Sequence, residues 1–265
     1  MVGRCLILLL ISYESLAQTY LGPRYQAMGN TGTALQGIYS LTANPAGLVG
    51  LECPVINLGY QYHFLTADIS SQTALLGLPT KLGVFGLAVH RYGLHGAYDD
   101  TKAGLSFAKR FGPRFSVGLS TSYHQLFIPA YLHATALSVD MGLQYRFEHG
   151  PTIGFQYVNI GEVDYGDEVS GDIPTFLRIG ASYPLGQVVI TADGVYRLVH
   201  SLGGRMGLEY SVGDLLCLRG GLGVNPLQQH VGFGIHWQRL VFDVAATFHP
   251  RLGTSPQIGV SYVFD

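Results

Sequence analysis

"TALSVDMGLQYRF", residues 135–147, reads differently on alternate positions. Thr135, Leu137, Val139, Met141, Leu143, Tyr145 and Phe147 form one set, Ala136, Ser138, Asp140, Gly142, Gln144 and Arg146 the other. A period of two places these sets on opposite sides of a β-strand, one greasy and one small or polar. The fold depends on what each side touches.

The pattern recurs. "INLGYQYHF" sets Ile56, Leu58, Tyr60, Tyr62 and Phe64 against Asn57, Gly59, Gln61 and His63. "FSVGLSTSY" (115–123), "MGLEYSV" (206–212), "VGFGIHW" (231–237), "LVFDVAATF" (240–248) and "IGVSYVFD" (258–265) alternate likewise. Such segments predict about 14 strands. Their expected spans are 54–64, 67–78, 81–92, 101–111, 114–127, 133–147, 151–161, 175–184, 187–198, 204–212, 215–224, 229–238, 239–249 and 256–264. No amphipathic helix of any length is expected after residue 50.

A soluble sandwich and a membrane barrel both use many alternating strands. In a sandwich the second face meets water and carries Lys, Glu and Arg. Here it is mostly Gly, Ser and Ala. Charged residues make up only 12% of the chain, about half the usual share. Aromatic residues cluster at strand ends, where rings favour the headgroup levels of a bilayer. A closed barrel is the all-strand way to satisfy every backbone group in lipid. The expected fold is therefore all-β: a transmembrane, antiparallel, up-and-down β-barrel. The net charge of -2 gives no basis for a nucleic-acid partner.

Connections after even strands are tight and rich in Gly or Pro: "LPTK", "FGPR", "EHGP", "PLGQ", "VGD" and "QR". Those after odd strands are expected to be mostly longer and to face outward, including the acidic "GEVDYGDEVSGDIPT". The short first connection, near Leu65 and Thr66, departs from that trend.

The chain divides into residues 1–17, 18–53 and 54–265. The first part has Arg4, an apolar run from Cys5 to Ile11, and small residues at Ser15 and Ala17, the pattern of a cleaved signal peptide. Residues 54–265 hold the barrel. Residues 18–53 are rich in small side chains and carry the turn signal "NPAG". They are expected to enter the lumen as a plug against its small inward residues; an ordered lead-in is the alternative. Cys53 and Cys217 make no disulfide framework.

"RYQAMGNTGTAL…SLTANPAGL" resembles the N-terminal signature of the FadL-type barrels, and more closely that of the PorV/PorQ branch. The resemblance rests on Ala27, Met28, Gly29, Gly32 and Ala34, then Asn44, Pro45, Ala46, Gly47 and Leu48. It implies a 14-strand barrel in the outer membrane of a Gram-negative bacterium, in the Bacteroidota type IX secretion system. The chain is shorter than typical FadL-type transporters, and Asp265 follows the terminal aromatic. Tyr262 and Phe264 are still expected to be the signal for the barrel-assembly machinery.

Several sites can be weighed from the residues. Asp140, Arg146, Arg178, Glu209 and Asp243 fall on the inward face, where buried charges must pair or be wet. They are expected to form an ionic network that holds the plug; selectivity groups of an open pore are the rival. Glu162, Asp164, Asp167, Glu168 and Asp172 form an acidic outer loop, read as solvated, with calcium or a basic partner as the alternative. His63, His124 and His236 read as polar lumen or rim residues. No zinc motif is present, and no metal or cofactor is expected. "MGNTG" and "GGLGVN" lack the strand-to-helix setting of a phosphate loop. Asp99 and Asp100 with His90 and His95 would need to converge to act as acid and base.

The expected function is non-enzymatic. The first reading is a subunit of an outer-membrane secretion or envelope complex, with lipid, lipopolysaccharide and other envelope proteins as partners. The alternatives are a transporter of small hydrophobic compounds and a simple diffusion pore.

Overall fold

The computed structural model describes residues 20–66, 68–94, 96–166, 173–197 and 202–265. Fourteen antiparallel strands close into one barrel, each paired with its neighbours in sequence and β1 with β14. They are β1 (Val55–Tyr62), β2 (Ile69–Pro79), β3 (Val84–Leu94), β4 (Tyr98–Phe111), β5 (Phe115–Ile128), β6 (Leu132–Arg146) and β7 (Thr152–Val158). β8 (Phe176–Leu185), β9 (Val188–Arg197), β10 (Leu202–Val212), β11 (Leu216–Val224), β12 (Gln228–Trp237), β13 (Leu240–His249) and β14 (Gly253–Val263) complete the wall. Every strand lies within about three residues of its expected span.

The alternation sorts as the chemistry requires. In β1, Asn57 is 1% exposed and its neighbour Leu58 is 60% exposed. In β6, Ser138, Asp140 and Gln144 are buried while Leu137 and Val139 face out. Leu, Ile, Val and aromatic side chains cover the outside all the way round, a band that only hydrocarbon can solvate without large cost. Arginine on that band near the midplane costs about 2–4 kcal/mol. Leu105→Arg, at a β4 position that is 66% exposed, is expected to destabilise the barrel by that amount in lipid-vesicle unfolding.

Loop lengths differ from expectation. Most connections on the side opposite the chain termini are as tight as those on the terminal side. The strands run on through residues expected to be loop, and β3 and β4 pair out to Leu94 and Tyr98. Polar residues there can continue the ladder because strand pairing needs only backbone. One long connection remains, between Val158 and Phe176. It coincides with a step in the wall. β6 pairs with β5 along its whole length, from Phe115↔Tyr145 to Ile128↔Leu132. Its other edge meets β7 only from Met141 to Arg146. Beyond that point, the described backbone bond to this edge is Ile160 N–H to the Val139 carbonyl, 2.7 Å.

Residues Tyr20–Leu51 lie inside the barrel. A short helix, α1 (Pro23–Ala27), starts with Pro23 in its first turn, where the missing N–H goes unused. Two 3-10 turns follow, Ile38–Thr42 and Pro45–Gly50. Tyr25, Met28, Leu35, Ile38 and Tyr39 pack with Val55 and Leu75 of the wall into the main apolar core.

Candidate lumenal site

Close approach of the lumenal backbone to the wall accounts for several of the strand glycines. A methyl group on Gly142 of β6 would collide with the Asn44 carboxamide, and one on Gly154 of β7 with the Thr33 carbonyl. Gly118, Gly207 and Gly221 meet Ala46, Met28 and Gly29 in the same way. Only a residue without Cβ lets chain and wall approach so closely.

Asn44 organises the middle of the segment. Its side-chain oxygen accepts from Ala46 N–H at 3.0 Å, capping the second 3-10 turn. Its amide nitrogen donates to the carbonyls of Thr33, Leu143 and Phe155 at 2.7, 3.1 and 3.2 Å. Pro45 follows at the first position of that turn, and Gly47 N–H returns to the Asn44 carbonyl. Gln144 donates to the Thr33 and Leu35 carbonyls, and Gln156 to the Ala43 carbonyl. Asp193 Oδ2 accepts from Gly32 N–H, Thr33 N–H and the Thr33 hydroxyl, at 3.0, 3.1 and 2.7 Å. These wall side chains satisfy backbone groups that a non-repetitive segment would otherwise bury unpaired. Met28 and Gly32 are buried against this wall. Burial also pushes the Tyr25 hydroxyl up to about 12, so it remains protonated beside Ser40 at 3.1 Å.

The inward charges do not form one network. Glu209 and Asp243 are bridged by Arg219, whose Nε and Nη1 donate to them at 2.6 Å each. Arg24 of α1 grips Glu209 with two bonds, at 2.9 and 2.7 Å. The Tyr39 hydroxyl donates to Asp243 at 3.1 Å. Asp140 stands apart, accepting from Asn159 N–H at 2.8 Å and facing Lys102 at 3.6 Å. Arg146 sits at the exposed terminal-side rim and donates to Gln36. Arg178 stacks on Phe176 of its own strand. Sequence reasoning missed Arg24 and Arg219, although Arg219 shares its face of β11 with Cys217 and Gly221. The two-residue period alone would have placed it inward.

The other candidates separate too. Asp99 faces out and pairs with Arg91, while Asp100 faces in, so the two do not converge; His95 lies outside the described residues. His63 and His124 are buried beside Ser71 and Ser138, and His236 is exposed. Among the described residues, no group of three His, Cys, Asp or Glu could hold a metal. Asp164 accepts from Gly166 N–H within the long connection, and Glu162 lies near its start at positive φ. Asp167, Glu168, Asp172 and residues 1–17 lie outside the described residues. Tyr262 and Phe264 stack edge to face at 4.8 Å beside the closing β1–β14 seam. Cys53 and Cys217 are both free.

The fold and its contents define a 14-strand transmembrane barrel with an N-terminal segment held in its lumen. Solved structures share that fold. The toluene transporter TodX of Pseudomonas putida superposes with a TM-score of 0.70 at 14% identity, covering 91% of this chain and 96% of its own. The monoaromatic hydrocarbon channel CymD gives 0.66 at 16% identity, covering 92% and 97%. A Pseudomonas aeruginosa FadL homologue gives 0.67 at 11% identity, covering 92% and 98%. No family model matches the chain, and no curated protein matches it.

Proposed function

We propose that this chain is an outer-membrane channel for small hydrophobic compounds, releasing them sideways through the wall between β6 and β8. The carrying observation is the step in that wall, where β6 extends far beyond β7. Among the described residues this part of the β6 edge has no strand partner, and an unpaired edge is costly in lipid, so a long one has a use. The shared fold with hydrocarbon channels supports the same reading and places it ahead of the secretion subunit that the N-terminal motif suggests. The lumenal segment supports a closed resting state over a simple pore.

The test is uptake of labelled toluene by cells with a lipopolysaccharide-bearing outer membrane. Cells expressing the chain should take up toluene faster than cells carrying an empty vector. Equal rates would overturn the proposal.

The second reading, a PorV/PorQ-type subunit of a secretion complex, is favoured by the Asn44–Leu48 motif and the tight rims. It expects a stoichiometric envelope partner in native detergent extracts. Tyr262 and Phe264 serve either reading as the barrel-assembly signal.

A further inference from the structure

Lysine is rare in this chain, at Lys81, Lys102 and Lys109. Lys81 and Lys109 meet at one place on the terminal-side rim, where the wall has a notch. β4 pairs with β5 as far as Phe111↔Phe115, but with β3 only as far as Val84↔Ala108. Lys109, Arg110 and Phe111 therefore overhang the turn that joins β2 to β3. A bond of 2.8 Å from Thr80 N–H to the Gly83 carbonyl closes that turn. Between turn and overhang lies a groove of about 280 Å³. Val49 and Leu51 of the lumenal segment form its floor with Val84 and Ala108, packed on the buried Leu48. Lys81, Lys109 and Arg110 stand around it, all exposed.

Elsewhere, Arg24, Arg91, Lys102, Arg114, Arg219 and Arg239 each face a carboxylate. Among the described residues, no carboxylate pairs with Lys81, Lys109 or Arg110. Arg110 donates to the neutral Val49 carbonyl at 2.9 Å. The groove is continuous with the lipid-facing wall. Lys109 shares its side of β4 with Leu105, Phe107 and Phe111, and its Nζ lies 5.9 Å from the Phe111 ring centroid. Leu82, at the lip, is 68% exposed. Phe85 of the same hairpin packs on Phe107 at 4.9 Å. The long connection lies at the opposite end, the end that outer-membrane barrels turn outward. This rim therefore meets the periplasm and the inner leaflet.

We propose that the notch holds the head group of an anionic phospholipid of the inner leaflet. The phosphate sits among Lys81, Lys109 and Arg110, and the acyl chains run along Leu82, Phe85 and Phe107. A phosphate ester offers acceptors to all three cations. A zwitterionic head would bring an ammonium that they repel. A soluble acidic peptide has no chains to cover the adjoining apolar wall. The site does not depend on what the lumen carries.

Native mass spectrometry of the full chain in an uncharged detergent tests this, with phosphatidylglycerol and phosphatidylcholine of equal chain length as probes. Each basic side chain near an anionic head contributes about fivefold in affinity. The parent should retain phosphatidylglycerol about tenfold or more over phosphatidylcholine. Lys81→Gln with Lys109→Gln should remove most of that preference. Arg114→Gln with Arg239→Gln removes the same charge from the same rim and should leave the preference intact. All four side chains are exposed, so both double variants fold as the parent does. Equal preference in the parent and the lysine variant would overturn the proposal. So would an equal loss in the arginine variant, which would mean diffuse attraction to the rim. Displacement of the lipid by equimolar glycerol 3-phosphate or a hexaglutamate peptide would also overturn it, in favour of a soluble phosphate or an acidic partner.

Discussion

Arg219→Met is expected to lower the unfolding free energy of the barrel by about 3–5 kcal/mol. The Arg219 side chain is almost wholly enclosed and bridges two carboxylates on different strands. Methionine fills similar volume but supplies no donor. Asp243 would keep only the Tyr39 hydroxyl among its described partners, and Glu209 only Arg24. An uncompensated buried carboxylate is the costly species, more than the lost attraction itself. Adding Asp243→Asn should therefore recover part of the loss. Urea unfolding in micelles, followed by the fluorescence of Trp237 at the barrel rim, measures both variants. A change below about 1 kcal/mol for Arg219→Met would show that the bridge is not what holds this part of the lumen.

Gly142→Leu is expected to expel the lumenal segment from a barrel that still closes. The new side chain would occupy the place of the Asn44 carboxamide, which bonds three backbone carbonyls. Each buried bond lost costs about 0.5–1.5 kcal/mol, and each orphaned group about 1–3 kcal/mol more. Together these exceed what a short, weakly helical segment can recover by shifting. The β5–β6 and β6–β7 ladders do not use that side chain, so the wall persists. In planar bilayers the variant should conduct steadily where the parent does not. Gly220→Ala, which meets nothing within 4 Å, is the control. A silent Gly142→Leu barrel, still folded, would show that the segment is not what closes the lumen.

The candidate site was only half legible in the chain. Asp140, Arg178, Glu209 and Asp243 face inward because strand periodicity is a local property, and their burial follows directly. Which of them meet is a matter of register and height. Glu209 and Asp243 lie on β10 and β13, with two strands between them, and only the β11 register sets Arg219 between the two acids. Arg24 joins from 185 positions away, a pairing no spacing rule could reveal. Arg146 shares the inward parity but sits at the rim, so water and Gln36 meet it instead. The wall step was equally hidden. The expected β7 span, 151–161, runs past the observed end at Val158, where Asn159 adopts positive φ.

By itself, the sequence determined the strand number, the direction each side chain faces and the need for lipid on one side. Those follow from a two-residue period and from the cost of exposing Leu, Val and Phe to water. Tertiary structure alone decided how the interior is packed: which wall glycines the Tyr20–Leu51 segment meets, that Arg219 bridges two acids, and that Arg178 has no described acceptor. Such contacts depend on shear, curvature and chain return. These are properties of the closed barrel, set by long-range pairing energies that no short stretch of residues contains.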